Sequence, residues 1–228
     1  MKKAVIFDLY ETLITEYDPE YKLENEAEFS LEVDPIAFDR EWKKRKSMRM
    51  RGKYPTYQDA IRDMLAALGT SATEKQLNEL YKKRAAAKAK PFMNIDGGIL
   101  EMLDKIKATG FKIGLISDCA PEEVAAWPDS VLPPFFDDVI FSCRVSMAKP
   151  DRGIYHLSCE KLGVSPSEAV YIGDGGSDEL NGAFRAGLTP YQATWFLNEW
   201  PNAEEKKNNR FQKVHKPSEV PDLILNES

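Results

Sequence analysis

Apolar positions along the chain follow two rhythms in turn. Lys3 to Phe7 is a short β-branched and aromatic run, and it predicts a buried strand. The chain then loses all strand character. Tyr57, Ala60, Ile61, Met64, Leu65 and Leu68 recur at helical spacing, with Gly69 as a stop. Thr73 to Gln76 reads as a capping box opening the next helix. From Pro91 helices and strands alternate. Asp96 caps a helix to about Thr109, closed by Gly110, and 111–117 ("FKIGLIS") is a strand. A loop or short helix follows Pro121, and 138–142 ("DVIFS") is a second strand in this part. Asp151 caps a helix ending at Gly163, and Ser165 to Glu168 is another capping box with proline at the first helical position. Then come a strand at 169–174 ("AVYIGD"), a helix from Asp178 to Gly187, a strand at 191–196 and a weaker one at 211–215. This alternation predicts an α/β protein with a parallel sheet covered on both faces. Residues 15–90 read as a helical module inserted into a core made of 1–14 and 91–228.

Composition narrows the function classes. The chain has 228 residues, 43% hydrophobic and 30% charged, which fits one large globular domain or one with an insertion. A net charge of −6 argues against a nucleic-acid partner, which needs a basic face. No apolar run reaches the ~18 residues of a membrane span. The start, "MKKAVIFDLYETL", reads as strand rather than as a targeting segment, because Asp8 and Glu11 interrupt its apolar run. Three cysteines (Cys119, Cys143, Cys159) without CxxC spacing point to a reducing cytoplasm and no zinc site. The expected partner is a small molecule, with no membrane, in a monomer or homodimer.

The strands deliver polar residues to their carboxyl ends: Asp8, Ser117 and Asp174, with Lys149 shortly after a fourth strand and Asp178 opening the following helix. Open parallel sheets bind ligands at that edge, so these residues should converge. Asp8, Asp174 and Asp178 bring three negative charges against one from Lys149. Crowded carboxylates repel, and a hard divalent cation with room left for water and phosphate oxygens, Mg²⁺, resolves the imbalance.

The set "FDLYETL", "GLISD", "AKPDRGIY" and "VYIGDGGSDELNGA" resembles the four motifs of the haloacid dehalogenase-like hydrolase superfamily, in order and across almost the whole chain. The resemblance implies a Rossmann-like core with a helical cap of the C1 type. It also implies roles. Asp8 is the nucleophile that forms an aspartyl intermediate. Its carboxylate and the Tyr10 backbone carbonyl hold Mg²⁺, with Asp174 and Asp178 completing the site. Ser117 and the Asp118 N–H hold phosphoryl oxygens, Lys149 neutralises charge at the nucleophile, and Thr12 positions the first loop.

Tyr10 departs from the phosphatases that this set resembles, which carry an aspartate there as general acid and base. Haloacid dehalogenases place tyrosine at this position, because a halide leaves without a proton. The two aspartates of "GDGGSD" favour metal-dependent phosphoryl transfer, since a haloacid brings its own carboxylate to the site. The expectation is therefore a Mg²⁺-dependent phosphatase. The alternatives are a 2-haloacid dehalogenase and a weakly catalytic scaffold with a binding role. Glu11 is a candidate substitute acid. The basic run from Arg40 to Lys53 reads first as a solvated helix face and second as an attractor for an anionic substrate. Phe38, Trp42 and Tyr57 fit helix packing before a pocket, and Tyr155 fits packing of its helix onto the sheet. Trp195, Phe196 and Trp200 form an aromatic cluster for the core or an interface. His156 and His215 fall in no motif.

Overall fold

The computed structural model describes residues 1–17, 31, 33–197 and 210–226. Trp200 and most of the polar loop before Phe211 lie outside the described residues. Six strands form one parallel sheet: β1 (Ala4–Phe7), β2 (Lys112–Ser117), β3 (Asp138–Phe141), β4 (Ala169–Gly173), β5 (Thr189–Ala193) and β6 (Lys213–Val214), in the spatial order β3-β2-β1-β4-β5-β6. This is a Rossmann-like α/β core. Strand order reverses between β1 and β4, which makes the crevice beyond their carboxyl ends the switch point where such sheets bind ligands.

Strand periodicity builds the two faces. In β1, Val5 and Phe7 enter one apolar cluster, with Ile113, Leu115, Val170 and Ile172 beside them. Ala4 and Ile6 enter the other, with Ile116 and Tyr171. Helix α5 (Gly97–Ala108) and the C-terminal helix α9 (Val220–Asn226) cover the first face; α7 (Arg152–Leu162) and α8 (Glu179–Ala186) cover the second. β1 is therefore buried on both sides, and each large apolar side chain placed there contributes about 1.5–3 kcal/mol.

Between β1 and α5 the described chain is helical: α1 (Pro35–Lys44), α2 (Lys46–Met50), α3 (Tyr57–Ala67) and α4 (Glu74–Met93). Both expected features of this stretch form. The Thr73–Gln76 capping box opens α4, and Tyr57, Ile61, Met64 and Leu65 close a separate apolar cluster with Phe38, Leu77 and Leu80. Trp42 stacks on Phe38 and meets Tyr57 edge-on, so these rings serve packing first. The module rests on the core through the turn after α2. There Gly52 adopts φ +71, and a Cβ at that position would lie 2.0 Å from the Cys143 carbonyl oxygen. Only glycine permits both the conformation and the contact.

Several boundaries differ from expectation. α4 continues through Pro91 to Met93, although the proline has no N–H to give the helical ladder. The Ser165–Glu168 box closes a single 3₁₀ turn at Pro166–Glu168 and leads straight into β4. Asp151 makes no side-chain cap; its carboxylate takes the Arg51 guanidinium of the module at 2.7 Å. β5 begins two residues early and ends at Ala193, where a turn sets in with Leu197 N–H on the Thr194 carbonyl. α6 (Ser142–Val145) was not anticipated.

Candidate active site

Asp8 extends β1 by one residue, its N–H donating to the Ile172 carbonyl at 2.9 Å. The ladder thus delivers its carboxylate to the edge of the switch point. Lys149 meets it there, with Nζ 2.5 Å from Asp8 Oδ1 and 2.5 Å from Glu179 Oε2. The Tyr171 hydroxyl donates to Glu179 Oε2 at 2.7 Å, and Gly175 N–H donates to Oε1 at 2.9 Å. Asp8 is 6% exposed, Lys149 7% and Glu179 0%. Oxygen atoms of Asp8, Asp174 and Glu179 all lie within 4.8 Å of one another. Three buried carboxylates therefore face one ammonium.

The electrostatics follow from that count. Burial, then the Glu179 charge, pushes the Asp8 carboxyl well up, with Lys149 pulling the other way and Asp174 adding to the rise. Burial also raises Glu179, against Lys149 and with Asp174. For Lys149, burial alone would lower the ammonium, but Asp8 and Glu179 outweigh it and hold it well up. The site attracts positive charge beyond what Lys149 supplies. Carboxylate oxygens without sulfur or imidazole are the donor set of a hard divalent cation, so the residues fit a metal ion.

Glu179 is the principal group that the sequence reading missed. Asp178, expected at the metal, is 50% exposed at its side chain and pairs with Arg185 and Asn181. The turn explains the exchange. Ser177 and Asp178 both adopt positive φ, and the helix entered at Glu179 turns that next residue inward. Its carboxyl lies against Gly173, where a Cβ would come within 2.2 Å of Oε1. The adjacent acids of "GDGGSDEL" were the available signal. Tyr171 was read only as strand and proves to be the hydroxyl that orients Glu179.

The other expected residues gather at the same edge. Ser117 ends β2, and its Oγ is buried without a hydrogen-bond partner; Thr12 Oγ1 is likewise buried and unpartnered. Buried hydroxyls left open are costly unless a ligand meets them. The Asp118 side chain acquires a function: Oδ1 accepts the Lys149 N–H at 2.9 Å and ties the lysine loop to the end of β2. Ser142 Oγ braces the same loop by accepting Cys119 N–H at 3.0 Å.

Tyr10 and Glu11 are both occupied. The Tyr10 hydroxyl donates to the Glu123 carbonyl at 2.5 Å. Burial, then the charges of Glu123 and Glu16, pushes the phenol far up, so it supplies no base. Glu11 sits at φ +60, and its carboxylate accepts from Thr15 Oγ1 and the Glu16 N–H, which closes the first loop rather than aiming at Asp8. Around Tyr10 the module meets the core through charge: Arg84 binds Glu122 at 2.8 Å and Glu123 at 2.5 Å, and Lys88 pairs with Glu16. Tyr155 donates to the Glu179 carbonyl and packs edge-on against Tyr171. His156 and His215 bond to Ala186 and Thr194 within the fold. All three cysteines are free, and Trp195 anchors to the core through its indole N–H on the Thr12 carbonyl.

The family model of haloacid dehalogenase-like hydrolases matches residues 2–187. The chain belongs to that family. This hydrolase is 28% identical over 204 residues to a glyceraldehyde 3-phosphate phosphatase of Methanopyrus kandleri, covering 82% of each chain. A phosphoglycolate phosphatase of Psychrobacter arcticus is 31% identical over 110 residues, covering 46% of this chain and 44% of that one. The fold is shared with a 2-haloacid dehalogenase from Pseudomonas syringae pv. Tomato (TM-score 0.68, 19% identity, all of both chains). Among the described residues of the hydrolase, no helix is long and apolar enough to cross a membrane.

Proposed function

We propose that the hydrolase is a Mg²⁺-dependent phosphatase that acts on a small phosphorylated metabolite through an aspartyl-phosphate at Asp8. The observation that carries this reading is the excess of buried carboxylate at Asp8, Asp174 and Glu179 over the single Lys149. A dianionic phosphate ester enters such a site only with a cation. Mg²⁺ held by Asp8, Asp174, Glu179 and the Tyr10 carbonyl would offset that charge and polarise the phosphoryl group. A 2-haloacid dehalogenase, the second reading, draws support from Tyr10, but it adds a further carboxylate to an anionic site.

The residues divide the chemistry among themselves. One Asp8 oxygen attacks phosphorus as the P–O bond to the alcohol breaks and the leaving oxygen takes a proton from solvent; water then attacks the phosphorus of the acyl phosphate, gives its proton to solvent, and releases inorganic phosphate and free Asp8. Lys149 holds the attacking carboxylate in place, itself held by Glu179 and by the Asp118 bond to its backbone. Ser117 Oγ and the Asp118 N–H receive phosphoryl oxygens, and Thr12 fixes the first loop. The segment 15–90 acts as the cap that covers this edge and selects the substrate. A cytoplasmic setting fits the free thiols.

Phosphate release from p-nitrophenyl phosphate should require Mg²⁺ and stop with excess chelator. Release of halide from 2-chloropropionate, with no phosphate release under any metal, would reject the reading. Because Tyr10 can neither give nor take the proton, leaving-group quality should control the rate. General acid–base help is worth ~10²–10⁴-fold. Acetyl and aryl phosphates should therefore exceed glycerol 3-phosphate in kcat/KM by about that factor, and a flat series would show that another residue supplies the proton.

Metal binding should also be visible without turnover. Asp8 and Glu179 have raised carboxyls, and protons compete with a cation for them. A thermal-shift titration should give a Mg²⁺-dependent rise in Tm at neutral pH that shrinks as pH falls and both groups protonate. A rise independent of pH would place the ion elsewhere.

A further inference from the structure

The turn after β2 carries a group that the hydrolytic chemistry does not use. Ser117 and Asp118 are followed at once by Cys119, which is fully buried. Cys143 stands at the matching place after β3. Ser117 and Phe141 are partners in the parallel register of these strands, and two residues further along each chain lie Cys119 and Cys143. Neighbouring strands run about 5 Å apart, within the ~4.4–6.8 Å between Cα atoms that a disulfide spans. Ser142 keeps the two chains together beyond the strands: its Oγ accepts the Cys119 N–H at 3.0 Å and donates to the Cys119 carbonyl at 3.3 Å. The two thiols hydrogen-bond to each other. The third thiol, Cys159, belongs to the apolar cluster on the opposite face of the sheet.

The two members of the pair differ in reactivity. Cys143 is half-buried. The bond from Cys119, helped by the charge of Arg144, lowers its thiol against burial and Glu122. Burial, and then the bond to Cys143, pushes the Cys119 thiol well up. An accessible, acidified thiol reacts first with an oxidant, and a second thiol within reach then resolves the product. The pair also touches working parts of the site. Cys119 follows Asp118, whose carboxylate holds the Lys149 N–H. The Cys143 carbonyl receives the close approach of the Gly52 turn of the module. Cys119 Sγ donates to the Ser117 carbonyl at 3.6 Å, so a bond to Cys143 takes that sulfur off the end of β2 and pulls on Asp118.

We propose that Cys119 and Cys143 form a reversible oxidation site for hydroperoxides, and that the disulfide they make shuts the neighbouring phosphoryl site. The Cys143 thiolate attacks one peroxide oxygen; the O–O bond breaks, Cys143 becomes a sulfenic acid, and the departing hydroxide takes a proton to become water. The Cys119 sulfur then attacks the Cys143 sulfur; the S–O bond breaks, and the leaving hydroxide takes the proton that Cys119 gives up. Two thiols are oxidised, one hydrogen peroxide is reduced, and two waters form. A dithiol reductant reverses the bridge by exchange. The oxidation site stands apart from the phosphatase reading, and only the loss of turnover rests on it.

Peptide mass after treatment with hydrogen peroxide tests the pair. The protein is oxidised, quenched with catalase, denatured in excess N-ethylmaleimide and digested. Trypsin leaves both cysteines in one peptide, residues 113–144, and Cys159 in another, residues 153–161. The first peptide should emerge unlabelled and two hydrogens lighter than its reduced form, while the second stays labelled. Turnover of p-nitrophenyl phosphate should fall in step with the bridged fraction and return with dithiothreitol. Cys143→Ser should keep the turnover of the reduced parent and lose its sensitivity to peroxide, and Cys143→Ala serves if the serine variant folds poorly. Sulfinic acid on Cys143 with Cys119 still labelled, a bridge between two copies of the chain, or oxidation of Cys159 ahead of the pair would overturn the assignment. So would a complete bridge with undiminished turnover, or peroxide sensitivity that persists in both Cys143 variants. If the reduced parent does not turn over p-nitrophenyl phosphate, the phosphatase reading fails, and the peptide masses still decide the pair.

Discussion

Asp8→Asn should abolish turnover and leave the protein at least as stable as the parent. Loss of a covalent nucleophile costs on the order of 10⁴–10⁶ in kcat, since hydrogen-bond donors and binding alone retain only a residue of catalysis. The stability half of the expectation comes from burial. Asp8 is held well above the ordinary carboxylate range, so the folded state prefers its neutral form. An acid raised in this way lowers stability as pH climbs from its unfolded value through its folded one. Asparagine is neutral throughout, and the variant should match or exceed the parent Tm at pH 7, with the gap closing under acid. Thermal denaturation across pH and a p-nitrophenyl phosphate assay measure both halves. A variant that is inactive and markedly less stable would mean that the Asp8–Lys149 pair is structural.

Lys149→Met should damage both function and fold. It leaves Asp8 and Glu179 buried without their cation, a situation that costs about 3–5 kcal/mol when one partner of a buried pair is removed. The sign of its pH dependence is fixed by the acids. Without Lys149 their carboxyls rise further, so the loss relative to the parent should grow with pH and fade under acid as both take protons. Mg²⁺ should recover part of it. Activity should fall by about 10²–10³ as a fixed positive charge leaves the transition state. The double change Lys149→Met with Glu179→Gln should regain stability but not rate. Thermal denaturation of the four proteins of that cycle separates the coupling from the single effects. Additive losses would show that Lys149 and Glu179 act independently, against the 2.5 Å contact.

Much of the site was legible because strand ends are legible. "AVIFD" and "AVYIGD" each carry apolar residues up to a carboxylate, and parallel pairing of β1 with β4 makes those two ends neighbours. Capping residues marked α4 and α5 for the same reason: the signal is local. What escaped the sequence depends on turns and on long-range pairs. The exchange of Asp178 for Glu179 is decided by two residues with positive φ, which spacing does not reveal. The partner of the Asp118 carboxylate is a backbone N–H in another loop, which spacing along the chain does not reveal. The basic run read first as a solvated face and second as an attractor for an anionic substrate; in the fold Arg45 and Arg49 turn inward while Lys43 and Lys44 stay exposed, because Trp42 and Asp63 draw the arginines in. Tyr10 was visible as a departure, but its anchor, the Glu123 carbonyl, lies far along the chain.

The central claim is that phosphorus is transferred to Asp8. Mass spectrometry of protein quenched during turnover of acetyl phosphate with Mg²⁺ tests it directly, with a parallel sample given 2-chloropropionate. The account predicts one phosphoryl group on the peptide that contains Asp8 in the first sample, none in the Asp8→Asn protein, and no adduct with the haloacid. A 1-carboxyethyl ester on Asp8 with no phosphoryl adduct would contradict it and make the hydrolase a dehalogenase.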